Sequence, residues 1–261
     1  LTADISSPKA QKFLSNLTAN SEISNIIKEK PNSALAFELL YKEREAKTTI
    51  DKYYLSSLAG IHVEKRLKAL EKNLLKYIKP YLDGRRILID NVGSGPGHDM
   101  IRVIRNNPEL TKMVHVRNID NDCSALAIGE RMVENYGMSQ AFSFISKDFQ
   151  KVKRRNADII LLVGVLCSLP IPICIKLLRI LKRYCRPGGL IIYSTNQVAM
   201  VENDPLTDFL MRLAGWIMDY KTDVESREIA ERSGWQYVDQ FFDDGMRFQC
   251  MTVARRSNEG F

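Results

Sequence analysis

No apolar run in the 261 residues approaches the ~20 that a helix needs to cross a bilayer, so nothing in the sequence reads as a membrane span. Cysteine is sparse. Cys123, Cys167, Cys174, Cys185 and Cys250 are an odd number, and no two form a C-x-x-C pair. This argues against a disulfide framework and a cysteine zinc cluster, and favours a reducing, cytoplasmic setting with no metal expected. Blocks of like charge are missing as well. The formal charge of +7 is spread along the chain without a run of five or six lysines or arginines. It therefore describes a moderately basic surface able to meet RNA or another anion, and no dedicated basic tail. The chain begins at Leu1 rather than Met, as a processed or truncated start would, and any lost targeting segment would be invisible.

What is present is ordinary globular material. A hydrophobic fraction of 45% over 261 residues suffices for one large domain, or a core with an added module, around a real core.

The stretch with most chemical content is Arg86 to Asp99. Ile87, Leu88 and Ile89 form a continuous apolar run, as in a parallel strand covered on both faces. Gly93, Gly95 and Gly97 then bend the backbone and bring its amides close to a ligand with no Cβ in the way. A helix with Met100, Ile101, Val103 and Ile104 follows, so the turn lies at a helix N-terminus, which favours electron-rich groups. A dinucleotide fingerprint would place its third glycine at 98, where this chain has His98, and Pro96 removes one amide.

On either side the periodicities alternate. Residues 1–84 read as a helical module, a lid or a packing element. Ser7-Pro8 is a helix start with Phe13, Leu14 and Leu17 on one face. Ser21 with Ser24 opens a segment carrying Ile23, Ile26 and Ile27, and a helix over 32–46 carries Leu35, Leu39 and Leu40. A long amphipathic helix over 62–82 ends near Pro80. His62 reads as a surface or capping histidine, and Tyr53 and Tyr54 as candidate aromatic walls.

Residues 85–261 read as the core. An apolar strand ends at Asp120, where a carboxylate can accept from both hydroxyls of a ribose, with Asn121 beside it. This acid lies somewhat beyond the ~20 positions usual in dinucleotide folds. Asp122 caps a helix that Gly137 stops. A third strand (Phe142, Phe144, Ile145) leads to Lys147-Asp148-Phe149 and a short basic loop, Lys151 to Arg155. The fourth, from Asp158, runs through Val163 to Gly164 and on to Cys167-Ser168. A helix over 171–185, a turn Arg186-Pro187-Gly188-Gly189 and a fifth strand over 190–193 come next. Asn196 and Gln197 follow at its carboxyl end, where such sheets bind ligands. Residues 203–234 read as a helical insertion, and a hairpin turns at Asp243-Asp244-Gly245. The pattern is a mostly parallel, doubly wound α/β sheet.

The run Gly93-Ser94-Gly95-Pro96-Gly97 resembles the first motif of class I S-adenosylmethionine (SAM) methyltransferases, and the order of elements over roughly 85–255 is similar to theirs. The nearest likeness is to poorly characterised bacterial enzymes. The resemblance implies a seven-stranded sheet with an antiparallel last strand and SAM as cofactor. It implies a cofactor site at Asn91, Gly93, Ser94, Gly95, Gly97, Asp120, Asn121, Asp148, Phe149, Val163 and Gly164, with Asp148 and its neighbour at the adenine. Two departures stand out. Asn91 occupies the position where the family usually has an acid, and would offer no charge to the cofactor's ammonium. Cys167 and Ser168 stand where small-molecule enzymes often carry histidines, so no general base carries over and the catalytic residue stays unassigned. The fourth-strand loop lacks the Asn/Asp-Pro-Pro-aromatic run of amino-group methylation on nucleic-acid bases. It also lacks the Pro-Cys of cytosine methylation and the acids of polyamine synthases. Because SAM is already activated, positioning alone can carry transfer to a nitrogen or an acidic oxygen.

The expected function is methyl transfer to a small molecule, with Tyr53, Tyr54, Cys167, Asn196 and Gln197 on the acceptor side. An RNA methyltransferase, favoured by the basic charge, and a non-catalytic SAM-binding scaffold, suggested by Asn91 and the missing base, stay open. Acceptor and oligomeric state are not legible.

Overall fold

The computed structural model describes residues 7–31, 33–41, 46–154 and 156–258. The expected helix over 32–46 lies partly outside them, at 32 and 42–45, as does Arg155 of the basic loop.

Among the described residues five helices precede the sheet: α1 (Pro8–Ala19), α2 (Glu22–Glu29), α3 (Leu35–Tyr41), α4 (Thr49–Ser56) and α5 (Leu58–Ile78). Hydroxyl caps start four of them. Ser7, Ser21, Thr48 and Ser57 each accept a backbone N–H from the first turn, satisfying donors that would otherwise lack partners. In α1, Leu14 and Leu17 are buried, but Phe13 is 48% exposed, because it lies about 100° around the helix from Leu14. The α5 helix begins earlier than its apolar stripe suggests and passes at Pro80 into a single 3₁₀ turn over 79–81.

The core follows as β1 (Ile87–Val92), α6 (His98–Asn106), α7 (Leu110–Met113), β2 (Val114–Asp120), α8 (Cys123–Asn135), β3 (Phe142–Ser146) and β4 (Ala157–Leu162). It continues with α9 (Ile171–Leu181), β5 (Cys185–Asn196), α10 (Val198–Asn203), α11 (Pro205–Leu213), α12 (Asp223–Arg232), β6 (Gln236–Phe242) and β7 (Gln249–Arg255). The seven strands lie in the order β3-β2-β1-β4-β5-β7-β6. Neighbours among β1 to β5 pair in parallel, and β7 is antiparallel to both β5 and β6. After β1 the chain moves outward to β2 and β3 and then returns to β4 on the other side, so a crevice opens at the carboxyl ends of β1 and β4.

Two segments differ from the sequence expectation. Residues 186–189 are no separate turn but a bulge inside β5, where the register to β4 shifts between Ala157 and Ile159. Gly189 is needed there because a Cβ would meet the Cys185 sulfur and the Asp158 carbonyl. The helical insertion is interrupted: residues 214–222 are not helical. Gly215, at φ +98°, sits in a left-handed conformation that a helix cannot continue. The break buries Trp216 and turns Ile217 outward.

Three apolar clusters follow from this arrangement. One packs α5, α6 and α8 on one face of the sheet, and a second packs α9 and α12 on the other. The third joins α1 to α4 with α10, α11 and the Trp216 loop over the carboxyl ends of the strands. Helices α1 to α4 thus cover the end of the sheet where ligands bind, while α5 lies along its face.

At the centre Asp90 of β1 and Arg117 of β2 are register partners, and their side chains make two parallel hydrogen bonds of 2.6 Å with both groups buried. Removing one partner leaves a buried charge. Arg117→Ala is therefore expected to destabilise the fold by about 3–5 kcal/mol, and Asp90→Asn combined with Arg117→Met to recover most of that, as read by urea denaturation. Equal losses in the single and double variants would refute this.

Candidate active site

The crevice is built around the glycine turn. Gly93, Gly95 and Gly97 have φ of +63°, +52° and +83°, conformations that residues with a Cβ rarely adopt. The turn is pinned by Gly93 N–H donating to the Ile119 carbonyl at 2.8 Å. Asp120, at the end of β2, holds it from the other side. Its Oδ2 accepts from Gly95 N–H at 2.8 Å and its Oδ1 from Asp122 N–H at 2.9 Å. A carboxylate has about four acceptor positions, so each oxygen keeps one for a ligand.

The roof comes from the N-terminal helices. A Cβ on Gly95 would lie 2.5 Å from the Ala34 Cβ, and Ser33 Oγ donates to Asp122 Oδ2 at 2.9 Å. The partly roofed crevice has a volume of about 820 Å³ and is lined by Gly93, Ser94, Gly95, Asp120, Asn121, Val163 and Gly164, with Glu38, Tyr41 and Arg66 above.

Four expected cofactor residues stand elsewhere. Asn91 is buried and does not line the crevice. Its amide donates to Asp99 Oδ1 at 3.0 Å and to Asn118 Oδ1 at 3.1 Å. Asp99, in the first turn of α6, lines the crevice instead. Burial raises the Asp99 carboxyl above its usual range, against the Met100 N–H and Asn91 bonds that favour its charge. Asp148 is exposed and caps Gln150 N–H at 2.9 Å, while Phe149 meets the Tyr184 ring edge-on at 5.9 Å. Neither lines the crevice, and Gly97 does not either, its missing Cβ making room for Asn118.

A second cavity, of about 40 Å³, lies beneath the helical cap and shares Arg66, Gly164, Cys167 and Trp216 with the crevice. Its walls are apolar: Ile23, Ile27, Leu40, Met200 and Met211 among them. Tyr54 lines it and Tyr53 does not. Successive helical residues diverge by about 100°, and the Tyr53 hydroxyl meets Asp204 and Thr207 instead. Asn196 lines it and Gln197 does not, because neighbours on an extended chain face opposite ways; Gln197 donates to Thr195 and Ser226. Cys167 is buried and donates to the Gly164 carbonyl at 3.0 Å. Burial pushes its thiol pKa up, which suits an inert wall rather than a nucleophile. Lys221, wholly buried, donates to the carbonyls of Leu166, Leu169 and Asp219 and to the Asp219 carboxylate, fixing the loop that carries Gly164 and Cys167.

His62 is neither on the surface nor a helix cap. It is buried in the cavity wall with Nδ1 bonded to the Ala59 carbonyl. A carbonyl can only accept, so Nδ1 carries the proton. Burial, followed by the charge of Arg66, lowers its pKa to about 4. Sequence reading missed His62, Arg66, Glu38, Asp99 and Gln249. The available signal was that His62 and Arg66 stand four apart, beside Val63, Leu67 and Leu70 on the buried face of α5.

A family model described as a methyltransferase domain matches residues 86–244. The chain belongs to this family. It is accordingly a methyltransferase, its sheet is that of the class I enzymes and its methyl donor is SAM. No curated protein matches the chain. Among solved structures it is similar to a possible exported protein from Bordetella parapertussis, at 16% identity and TM-score 0.73, over 95% of this chain and 88% of that one. Magnesium protoporphyrin IX methyltransferase from Synechocystis PCC 6803, solved with bound S-adenosylhomocysteine, gives 12% identity and TM-score 0.64 over 90% and 100%. An O-methyltransferase family 2 protein from Planctomyces limnophilus DSM 3776, in complex with apigenin, gives 15% and 0.55 over 98% and 97%. At such identities the likeness is one of fold.

The residues present fit SAM. The crevice volume lies within the ~300–1,000 Å³ range of small-molecule sites, and the Cβ-free turn admits close backbone approach. Buried Glu38 Oε2 has no partner among the described residues, and together with Asp99 it offers negative charge suited to an ammonium.

The His62 shift has a thermodynamic consequence. Above pH 6.5 the ring is neutral in folded and unfolded chains alike. Between pH 6.5 and about 4 only the unfolded chain takes up the proton, so stability falls as pH falls, by about 1.4 kcal/mol per pH unit and roughly 3 kcal/mol over the interval. His62→Gln is expected to lose this part of the slope in denaturation curves recorded from pH 7 to 4.5. An unchanged slope would show that the ring is not held neutral.

Proposed function

We propose that the enzyme methylates a small, largely apolar acceptor seated where the inner cavity opens on the SAM crevice, with only part of it reaching into the inner cavity. The observation that carries this reading is the shared boundary at Arg66, Gly164, Cys167 and Trp216. Two spaces, one of mixed lining and one largely apolar, meet through these four residues at the carboxyl end of β4. Bound SAM supplies an electrophilic methyl group.

The chain's own part is to bind and orient. Gly93, Ser94 and Gly95 present backbone, and Asp120 with Asn121 receives the ribose hydroxyls on the oxygens' remaining acceptor positions. Asp99 and Glu38 take the ammonium. Asn91 then acts as the tether that aims Asp99, which answers the missing charge at position 91: the acid has moved to the first turn of α6. The arriving cation also favours the charged Asp99 that burial disfavours. The helical cap excludes water from the acceptor, leaving positioning as the main catalytic device.

Isothermal titration with SAM tests the crevice. Asp99→Asn is expected to weaken binding by roughly 10- to 100-fold, the loss of a charge-assisted hydrogen bond of about 1.5–3 kcal/mol, while Asp148→Asn leaves it within about twofold. Incubating the enzyme with methyl-labelled SAM and cell extract tests the acceptor. Label in the organic-extractable small-molecule fraction supports the reading, and label confined to RNA or protein contradicts it.

A further inference from the structure

The inner cavity is apolar but for a few groups, and two of them share a feature. Gln249, at the start of β7, is 2% exposed. Its Nε2 donates to Asn196 Oδ1 at 2.8 Å, Asn196 Nδ2 lies 3.3 Å from the Met218 sulfur, and Gln249 Oε1 has no partner among the described residues. The chain of donors fixes which atom is left over: the amide nitrogen is engaged by Asn196, so the orphan is an acceptor. A buried carbonyl without a donor bears the desolvation penalty of an unmade hydrogen bond, and an atom left so calls for a partner from outside the chain.

His62 presents the same chemistry. Its Nδ1 proton is committed to the Ala59 carbonyl, which leaves the Nε2 lone pair as an acceptor on a ring that resists protonation. The ring packs against Phe248 at 6.0 Å between centroids, immediately before Gln249, so α5 and β7 bring the two acceptor-bearing residues to one cavity. An apolar enclosure that offers two acceptors is complementary to an apolar molecule carrying an O–H or N–H. It is mismatched to a carboxylate, whose oxygens would face other lone pairs.

Resting on the small-molecule reading above, we infer that the methyl acceptor enters as an uncharged hydrogen-bond donor, a phenol-like or amine-like group on a compact apolar skeleton, received by His62 Nε2 and Gln249 Oε1. Arg66 lines the same cavity and is the competing influence, since its guanidinium would draw an anion. His62 and Gln249 are specificity residues in this account: they receive the donor hydrogen of the bound acceptor, and the proton freed as the methyl bond forms passes along that hydrogen bond and is given up to water as product leaves.

Three single-ring probes separate these influences: phenol, toluene and benzoate, titrated into the SAH-loaded enzyme and followed by calorimetry and by ¹H–¹⁵N spectra of the histidine side chains. Phenol is expected to bind at least tenfold more tightly than toluene or benzoate and to shift His62 Nε2 without shifting His98 or His115. In His62→Phe and in Gln249→Leu the preference for phenol over toluene is expected to fall below threefold. The wild-type spectra decide the matter should either variant fail to fold. Equal affinity for phenol and toluene, or no movement of the His62 Nε2 signal, overturns the donor assignment while leaving the cavity standing. Tightest binding by benzoate overturns it in favour of Arg66. If none of the three binds, the small-molecule cavity itself fails.

Discussion

The contact on which the site depends is the seat of Ala34 on the glycine turn. Gly95 has no Cβ, and the space where one would be is where the helical cap comes down on the core. The Ser33 hydroxyl, bonded to the acid that caps α8, fastens the same junction. A turn that is usually discussed for its approach to ligand here also receives a second layer of protein. That layer partly roofs the crevice, and carries α5 across to wall the inner cavity.

From this seat the two cavities acquire different characters. The crevice floor belongs to the sheet and is rich in backbone amides and acids, as a polar cofactor requires. The inner cavity lies between α2, α3, α5 and the 198–218 segment, where apolar side chains of amphipathic helices form most of the wall and Cys167, Asn196 and Gln249 complete it. The loop after β4 is the partition. Lys221 anchors it through the Leu166 and Leu169 carbonyls while also bonding Asp219, and the bond from Asp219 N–H to the Cys167 carbonyl ties it to the Trp216 segment. A fully satisfied buried lysine of this kind rigidifies what it holds, and here it holds the boundary between donor and acceptor.

How much of this was legible in the sequence divides along a physical line. The glycine turn, Asp120, the capping of α8 by Asp122 and the closing hairpin were legible because each is set by local backbone chemistry within a few residues. The seven-stranded sheet with an antiparallel last strand came from resemblance and agrees with the structure. The role of residues 1–84 was not legible. Whether an amphipathic face meets a sheet face or a cavity depends on packing across more than a hundred positions. The same limit explains the pairs. Tyr53 and Tyr54, or Asn196 and Gln197, are equivalent in composition, and only helix or strand geometry sends one of each pair to the cavity. His62 read as a surface group because a lone histidine beside lysines usually is one. Asp99 was passed over because the expected acid lies before the glycines in sequence, whereas a helix start can deliver an acid to the same space.

Hydrogen exchange with and without saturating S-adenosylhomocysteine is the most direct test of the claim that the N-terminal helices roof the cofactor site. Protection is expected in three separate stretches: the glycine turn and start of α6, the end of β2 through Ser124, and residues 30–41. Protection of the first two with residues 30–41 unchanged would contradict the account, since the cap would then rest on the core without taking part in the site.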